Sequence, residues 1–469
     1  MKKLLLSSAI LLGLGFSATA ASAQSYPGEA RFREIFKELI ETNTTYSSGN
    51  CTVAAQKMVD RLHSAGFSDK DAFVFTNPDF PKEGGAIAII KGTSKAKKGV
   101  LLMAHLDVVE AKREDWTRDP FTLYEENGFF YGRGVSDMKN IAAYWVDNMM
   151  RYKEEGFKPK YDIKLALTCG EETTGAFNGA EWLSKNHKDW IDADFALNEG
   201  AGGSLDENGN RISLSVQGAQ KVYQDFTITT TNPGGHSSVP KPENAIYDMA
   251  DAMKAVQKLE FPVMFNDANR EYFTRMAKIK GGEVGAAMEA IVKNPNDKAA
   301  DALISKDNAW HSMLRTTCVA TMINGGHALN ALPQSVHTNV NCRIFPGVSV
   351  DSVQADLVKA INNPNVKVAI VEPRSIATPT PKMGKEFLEP IEKLADKYWK
   401  GVPVIPVLST GATDGIYTSA AGIPTYGFSA TFSEASGNYA HGLNERMRVR
   451  SLMEARQFQY ELVKYYATH

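Results

Sequence analysis

Two adjacent glutamates, Glu171 and Glu172, directly follow the apolar segment YDIKLALTCG, and this placement constrains the chain more than any other feature. Side-by-side carboxylates at the edge of a core repel each other and resist losing their hydration unless a cation or a shared proton compensates. Packing alone gives no reason for them there. The pair therefore predicts a metal site at the end of a buried strand.

The same pattern, an apolar run that ends in a metal-capable side chain, recurs along the chain. His105 and Asp107 lie in VLLMAHLDVV, Asp137 in GRGVSDMK and Glu199 in ADFALNEG, while His441 follows late in NYAHGLNE. In an open α/β sheet, ligands bind beyond the carboxyl ends of the strands. If these runs are strands of one parallel sheet, the scattered residues share one site.

The number of candidate ligands points to two metal ions. A catalytic zinc typically takes three protein ligands and leaves a position for water or substrate, so two ions need six ligand positions. Five residues are available if one of them bridges both ions: His105, Asp137, Glu172, Glu199 and His441. Asp137 is the bridging candidate.

Asp107 and Glu171 are left for other roles. Residues two apart on a strand face the same side, so Asp107 is predicted to hydrogen-bond His105 and to fix its tautomer. Glu171 adjoins a predicted ligand and is placed to accept a proton from a water whose pKa a zinc lowers to about 7. It is the predicted general base.

The segments HLDVV, GRGVSDMK, GEETTG, NEG and AHG, in this order and spacing, resemble the co-catalytic zinc peptidase family. That family includes glutamate carboxypeptidase, aminoacylase, carnosinase-type dipeptidases and succinyl-diaminopimelate desuccinylase. The resemblance implies that His105, Asp137 and Glu199 share one metal and that Asp137, Glu172 and His441 share the other. It also implies zinc, although cobalt and manganese suit the same ligand types.

The resemblance assigns further roles in an inserted lid. His236 in NPGGHSSVP matches a lid histidine that reaches the partner subunit's active site and stabilises an oxyanion. Asn330 in GGHALNALP and Arg343 in NVNCRIF match positions that hold the scissile carbonyl and the terminal carboxylate of the substrate. The planar fork of arginine suits a carboxylate. Without the resemblance, His236 reads as a loop histidine and Arg343 as a surface residue pairing across a sheet.

Strand and helix patterns alternate in most of the chain, which predicts an α/β catalytic domain with a doubly wound, mostly parallel sheet. The long interval between Glu199 and His441 predicts an insertion, and its βαββαβ pattern is typical of ferredoxin-like α+β domains. The predicted boundaries are 1–23 for a signal peptide, 24–216 and 374–469 for the two parts of the catalytic domain, and 217–373 for the lid, with a helical insertion near 261–314. The resemblance implies a homodimer that forms through this lid/dimerisation domain.

The first 23 residues read as a secretory signal. Lys2 and Lys3 precede an apolar stretch from Leu4 to Phe16, and Ala21-Ser22-Ala23 forms a cleavage motif. We therefore expect export across the inner membrane to the periplasm. No later segment reaches the ~20 apolar residues of a membrane helix. The formal net charge of −2 gives no electrostatic footprint for nucleic acid.

The four cysteines are compatible with disulfides in an exported protein. Cys318 and Cys342 lie on two strand-like runs that a hairpin-like connection can bring together, and they are the plausible pair. Cys169, two residues before Glu171, is interpreted as a small buried core residue.

These features predict a dinuclear metallohydrolase that cleaves the amide bond of small peptides or N-acyl amino acids with a free carboxylate. In the resembling family, Glu at the position of Glu199 is typical of carboxypeptidases and acylases. The alternative is a dipeptidase or aminopeptidase that requires a free amine. A binding protein that has lost catalysis and a dinuclear phosphoesterase are alternatives from other classes, but the latter gives no reason for Arg343.

Overall fold

The computed structural model describes residues 26–173, 177–377 and 379–469. The predicted signal peptide lies outside the described residues. The helices are α1 (Glu29–Ile40), α2 (Cys51–Ser64), α3 (Lys139–Glu154), α4 (Gly179–Asn186), α5 (Lys188–Ile191), α6 (Ala245–Lys258), α7 (Asp267–Lys280), α8 (Gly282–Lys293), α9 (Lys298–Ile304), α10 (Asn308–Met313), α11 (Val350–Ile361), α12 (Lys385–Tyr398), α13 (Gly415–Ala420) and α14 (Val449–Tyr466). The strands are β1 (Ala72–Asn77), β2 (Phe80–Ile90), β3 (Val100–His105), β4 (Tyr124–Glu126), β5 (Phe129–Tyr131), β6 (Ile163–Thr168), β7 (Phe195–Leu205), β8 (Arg211–Gln220), β9 (Val222–Thr231), β10 (Gly235–His236), β11 (Thr317–Gly325), β12 (Ala331–Leu332), β13 (Ser335–Ile344), β14 (Val366–Ile370), β15 (Val404–Ser409), β16 (Thr425–Ser433) and β17 (Arg446–Arg448).

The larger sheet has eight strands in the order β1-β2-β6-β3-β7-β16-β8-β15. Its centre, β6-β3-β7-β16, is parallel, and β15 also runs parallel to β8. Every residue of β3 and β6 is buried, as expected for parallel strands that helices cover on both faces. The predicted α/β fold with a mostly parallel sheet is confirmed.

Two apolar layers flank this sheet. On one face, helices α1, α2, α3, α12 and α14 pack their buried side chains against the strands. On the other, Leu183 of α4 and Ile191 of α5 pack against Leu101 and Met103 of β3. The sheet is therefore covered on both faces, and its strand ends provide the open edge for a site.

A second, four-stranded antiparallel sheet has the order β11-β13-β9-β14. With α6 after β9 and α11 after β13, the chain order is βαββαβ. Both helices contribute to an apolar core against one face of the sheet, which includes Phe226, Ile228 and Val340. We call the unit formed by these strands and helices the lid domain.

Helices α7 to α10 form a separate small cluster around Phe273 and Ile291. This helical insertion packs on the larger sheet through α7. Nη1 of Arg275 donates to Oε1 of Glu392 at 2.8 Å and to the carbonyl of Val404 on β15 at 2.8 Å. Although the insertion interrupts the lid domain in the chain, it therefore also contacts the larger sheet.

Two disulfides are present in the described chain. Cys318 and Cys342, which face each other on β11 and β13, form the predicted disulfide. Cys169 forms a second disulfide, with Cys51. Cys169 is a fully buried core residue, as interpreted from the sequence, but its disulfide was not predicted, because the fold brings α2 to the end of β6 across a separation of 118 residues. Within the described ranges, no helix has the length and apolar character needed to cross a membrane.

Candidate metal centre

The metal-capable residues lie on five segments that meet at one edge of the larger sheet. His105 is the last residue of β3, Asp137 precedes α3, and Glu172 follows β6. His441 lies in the loop between β16 and β17. Glu199 differs from the prediction of a strand end, because β7 continues past it to Leu205 after its pairing with β3 ends at Leu197.

One group of potential ligands consists of His105, Asp137 and Glu199. Nε2 of His105 lies 3.3 Å from Oδ1 of Asp137 and 3.6 Å from Oε2 of Glu199. Two ligand atoms at about 2.0–2.2 Å from one tetrahedral zinc are roughly 3.3–3.6 Å apart. The three side chains therefore have the spacing that a metal ion requires.

A second group consists of Asp137, Glu172 and His441. Nε2 of His441 lies 3.1 Å from Oδ2 of Asp137 and 2.9 Å from Oε2 of Glu172. Asp137 thus directs one carboxylate oxygen towards each histidine. A carboxylate placed in this way can bridge two cations.

Unpaired polar atoms fit a bound cation. Nε2 of His105 and Oε1 of Glu199 are buried and make no hydrogen bond within the described chain. A buried polar atom without a partner is costly, and both atoms belong to the first group. The carboxylate and imidazole ligands of the two groups suit a divalent ion such as zinc.

The tautomer of His105 is set differently from the sequence prediction. Nδ1 of His105 lies 2.9 Å from the backbone carbonyl of Asp107, whereas the Asp107 carboxylate is 3.6 Å away. Because β3 ends at His105, Asp107 lies beyond the strand and the two-residue period no longer applies. The carboxylate of Asp107 instead accepts a hydrogen bond of 2.9 Å from the backbone N–H of Glu172. Asp107 therefore connects two ligand-bearing segments.

The pKa values of several groups in the site are raised, because the site is buried and contains more carboxylates than cationic groups. Burial and the charge of Glu199 raise the pKa of Glu171 to about 10. Burial raises the pKa of Glu172 to about 7, against the opposing influence of His105. A hydrogen bond with Asp137 raises the pKa of His441 to about 9. The cluster therefore favours the uptake of positive charge, as protons or as metal ions.

Glu171 lies beside both groups but outside their shared ligands. It belongs to a further cluster with His105 and Glu172, and its carboxyl is mostly buried at the end of β6. This location is compatible with the predicted role as general base, which stays a prediction.

Two buried acids near the site had no role in the sequence interpretation. Asp414 accepts hydrogen bonds from Asn178 at 2.6 Å and from Thr168 at 3.3 Å, and burial raises its pKa to about 7. Glu445 accepts hydrogen bonds from the backbone N–H groups of Gly134, Ser136 and Asp137 at 2.8–2.9 Å. In the sequence, the feature that could have drawn attention to Glu445 is its position four residues after His441, in the same segment.

Of the three lid residues predicted from the sequence, His236 and Asn330 lie close together. His236 on β10 pairs with Ala331 on β12, and the carbonyl of Asn330 accepts a hydrogen bond of 3.0 Å from Ser237 N–H. Both His236 and Asn330 are exposed. In the described part of the chain, His236 forms no hydrogen bond or ion pair with the metal-capable residues. The two residues are neighbours at the small two-stranded sheet formed by β10 and β12.

Arg343 lies on the face of the lid sheet opposite to helices α6 and α11. It is the cross-strand partner of Tyr223, and its guanidinium lies 4.7 Å from the centre of that ring. Tyr223 in turn donates a hydrogen bond of 2.6 Å to Asp225. Among the residues that the structure describes, Arg343 forms no ion pair. The guanidinium is thus held by stacking and keeps its donors available.

Comparisons with known proteins agree with this geometry. Residues 101–465 match the family described as Peptidase family M20/M25/M40. N-fatty-acyl-amino acid synthase/hydrolase PM20D1 of Mus musculus is 24% identical over 388 residues, which cover 80% of this chain and 75% of the relative. Carboxypeptidase S of Saccharomyces cerevisiae is 28% identical over 284 residues, which cover 58% of this chain and 49% of the relative. The crystal structure of the M20 family metallo-carboxypeptidase Sso-CP2 from Sulfolobus solfataricus has a TM-score of 0.67 at 19% identity, covering 93% of this chain and 99% of the other.

Proposed function

The chain belongs to peptidase family M20/M25/M40 and is a metallopeptidase or amidohydrolase, and on this basis we propose that it is an exported dinuclear enzyme acting on small substrates with a free carboxylate. The observation that carries the dinuclear proposal is Asp137, whose two oxygens face His105 and His441 separately. Peptides and N-acyl amino acids are the substrate classes. Zinc is the proposed metal, held by His105, Asp137 and Glu199 in one group and by Asp137, Glu172 and His441 in the other.

When bound by the two groups of residues, the metal ions would supply Lewis-acid polarisation of the scissile carbonyl and would lower the pKa of a water molecule. The positive charge of the metal ions would lower the pKa of Glu171 from its raised value in the metal-free chain. The Glu171 carboxylate then accepts a proton from this water as the water oxygen forms a bond to the carbonyl carbon. Glu171 then returns the proton to the departing amine nitrogen when the carbon–nitrogen bond breaks. His236 of a partner subunit and Asn330 contribute hydrogen bonds to the carbonyl oxygen as it gains negative charge.

Arg343 supports a substrate with a free carboxylate. Its guanidinium has no ion-pair partner in the described chain and stacks on Tyr223, which leaves the planar fork for bidentate binding of a carboxylate. The relatives include a carboxypeptidase and an N-fatty-acyl-amino acid synthase/hydrolase. A dipeptidase or aminopeptidase that reads a free amine is the second candidate, since the similar folds include carnosine dipeptidase 1 and an aminopeptidase.

The lid supports a homodimer. Strand β11 is at the edge of its sheet, and Val319, Met322 and Ile323 on it are 58%, 62% and 64% exposed. An exposed apolar edge strand is a template for pairing with another chain. A second copy seated on β11 covers these side chains. This arrangement leaves the exposed His236 available to reach the partner's metal centre, as the predicted role requires.

Export and a periplasmic location are also proposed. The basic and apolar pattern of residues 1–23 supports a secretory signal. The disulfides Cys51–Cys169 and Cys318–Cys342 support an oxidising compartment, because disulfides persist mainly outside the cytosol. N-terminal sequencing of the protein recovered from the periplasm tests both proposals. A protein that starts at Met1 in the cytosolic fraction contradicts them.

The decisive experiment measures turnover of the zinc-loaded protein on matched substrates by mass spectrometry. The panel contains free dipeptides, the same dipeptides amidated at the carboxyl end, and N-acyl amino acids. We expect cleavage of free dipeptides and N-acyl amino acids and loss of cleavage on amidation. Cleavage that requires a free amine and tolerates amidation would instead establish the dipeptidase or aminopeptidase function.

A further inference from the structure

We infer that residues 41–51, which connect α1 to α2, form an outer brace that positions three of the ligand-bearing segments and thereby sets the affinity for metal. None of these residues is a metal ligand in the two groups described above. The inference rests on the proposed metal centre. It assigns a role to the segment ETNTTYSSGNC, which lies far from every ligand in the sequence.

The first contact of the brace is with the end of β3. Oγ1 of Thr44 donates a hydrogen bond of 2.6 Å to the carbonyl of Leu106, and the N–H of Val108 donates to the carbonyl of Thr44 at 3.3 Å. Thr44 is 2% exposed. The Val108 N–H belongs to the peptide whose carbonyl oxygen, that of Asp107, orients the His105 ring, and the bond to Leu106 holds the peptide just before it.

The second contact is with the turn that carries Asp137. Lys139 is fully buried, and its Nζ donates hydrogen bonds to the carbonyls of Thr42 at 2.8 Å and of Leu39 at 2.9 Å. Lys139 begins α3 two residues after Asp137. The start of this helix is therefore tied to the end of α1 and to the brace.

The third contact is covalent. Cys51, the first residue of α2, is joined to Cys169 by a disulfide. Cys169 directly follows β6 and lies two residues before Glu171. A carboxylate oxygen of Asp107 is within 4.8 Å of both sulfur atoms. The same carboxylate accepts the backbone N–H of Glu172.

These contacts make the brace a common support for His105, Asp137 and Glu172. Ligand atoms must be held within about 0.5 Å for a site to be preorganised. Loss of a supporting interaction beyond the ligands typically lowers metal affinity by about 10–100-fold. Because each metal group contains at least two of the three supported residues, both metals depend on the brace.

A matched pair of threonine variants tests this inference. Thr44→Val removes the hydrogen bond to Leu106 while keeping the shape of the side chain. Thr230→Val is the control, because Thr230 is also buried and donates a hydrogen bond of 2.7 Å to the carbonyl of Ala245, but in the lid. The measurements are the dissociation constant for Zn²⁺, by competition with a fluorescent chelator, and the Tm of the metal-free protein. We expect the Kd of Thr44→Val to rise on the order of 10-fold, with the control within twofold of the unmodified protein.

A second pair uses the two disulfides. Cys51→Ala with Cys169→Ala removes the covalent anchor of the brace, and Cys318→Ala with Cys342→Ala removes the disulfide of the lid. Both pairs are expected to lower the Tm, but only the first to weaken Zn²⁺ binding. If Thr44→Val and the first cysteine pair bind Zn²⁺ as tightly as their controls, the brace is only structural and the inference fails. If the Cys51→Ala, Cys169→Ala variant does not fold, the Kd of Thr44→Val for Zn²⁺, compared with that of Thr230→Val, tests the inference by itself. Failure of the unmodified protein to bind Zn²⁺ would instead refute the proposed metal centre.

Discussion

The carboxylate of Glu445 accepts a hydrogen bond of 2.9 Å from the backbone N–H of Asp137. Further bonds from Gly134, Ser136 and the guanidinium of Arg133 complete its shell, and Glu445 is fully buried. Because Glu445 lies four residues after His441, it joins the Asp137 and His441 segments, two of the three segments that carry the second group of candidate ligands.

Glu445→Gln should weaken the metal centre. An amide has one acceptor oxygen, so its NH₂ group faces N–H donors and leaves buried donors unpaired, at a cost of about 1–3 kcal/mol. We expect a lower Tm and a Kd for Zn²⁺ that rises on the order of 10-fold. The control is Asp147→Asn, which disrupts the fully buried ion pair with Arg456. Asp147→Asn should lower the Tm without changing the affinity for Zn²⁺. Equal losses of Zn²⁺ affinity in both variants would contradict the role of Glu445.

Glu171→Gln should abolish turnover without removing the metals. General acid–base catalysis contributes about 10²–10⁴-fold, and glutamine cannot accept the proton. The measurements are kcat on an N-acyl amino acid and zinc content by mass spectrometry. Glu181→Gln, which changes a carboxylate paired with Lys185 on α4, is the control and should keep full activity. Turnover of Glu171→Gln close to that of the unmodified protein would exclude Glu171 as the base.

Arg343→Met should reduce the preference for a free carboxylate. A hydrogen bond to a charged group contributes about 1.5–3 kcal/mol, so kcat/KM on free acids should fall by roughly 10–100-fold, mainly through KM. Arg343→Lys keeps the charge but loses the bidentate geometry. Its kcat/KM on free acids should lie between that of the unmodified protein and that of Arg343→Met. The effect is measured on each dipeptide and its carboxy-amide. An equal loss on both substrates would show that Arg343 does not bind the carboxylate.

Ile323→Lys should disrupt the proposed dimer. The substitution places a charge on the exposed edge strand β11, where a partner strand would have to desolvate it. We expect a monomer by light scattering after size-exclusion chromatography at micromolar concentration. Val358→Lys on α11, at a position 50% exposed, is the control and should remain dimeric. A dimer of unchanged stability with Ile323→Lys would place the interface elsewhere.

Lys221 makes stability depend on pH. Burial and the charges of Arg343 and Arg315 lower its pKa from 10.5 to about 7, so between these values the unfolded chain binds more protons than the folded one. The free energy of unfolding should therefore rise with pH across this window. Lys221→Met should flatten this dependence, whereas Lys254→Met, at an exposed position, should not. Urea unfolding of the metal-free protein from pH 6.5 to 10 measures both slopes, and parallel curves for the unmodified protein and Lys221→Met would contradict the effect.

The grouping of the candidate ligands was largely predictable because each lies in a short segment with a local pattern. Each of His105, Asp137 and Glu172 follows or adjoins a pattern of buried strand or turn, and the carboxyl ends of parallel strands meet at one edge. The βαββαβ order of the lid was predictable for the same reason, since hydrophobic periodicity is local. Glu199 shows the limit, because the strand is seen to continue past it only in the tertiary pairing of β7 with β16 and β8.

The sequence by itself determined which side chains can bind metal and the order of strands and helices that brings them to one edge. Only the tertiary structure decided that the backbone carbonyl of Asp107 orients His105 and that Cys169 bonds to Cys51. The same is true of the support that Glu445 gives to Asp137. Local patterns specify which face of a strand is buried, whereas the direction of a side chain beyond the strand end and its contacts with distant segments depend on how the whole chain packs.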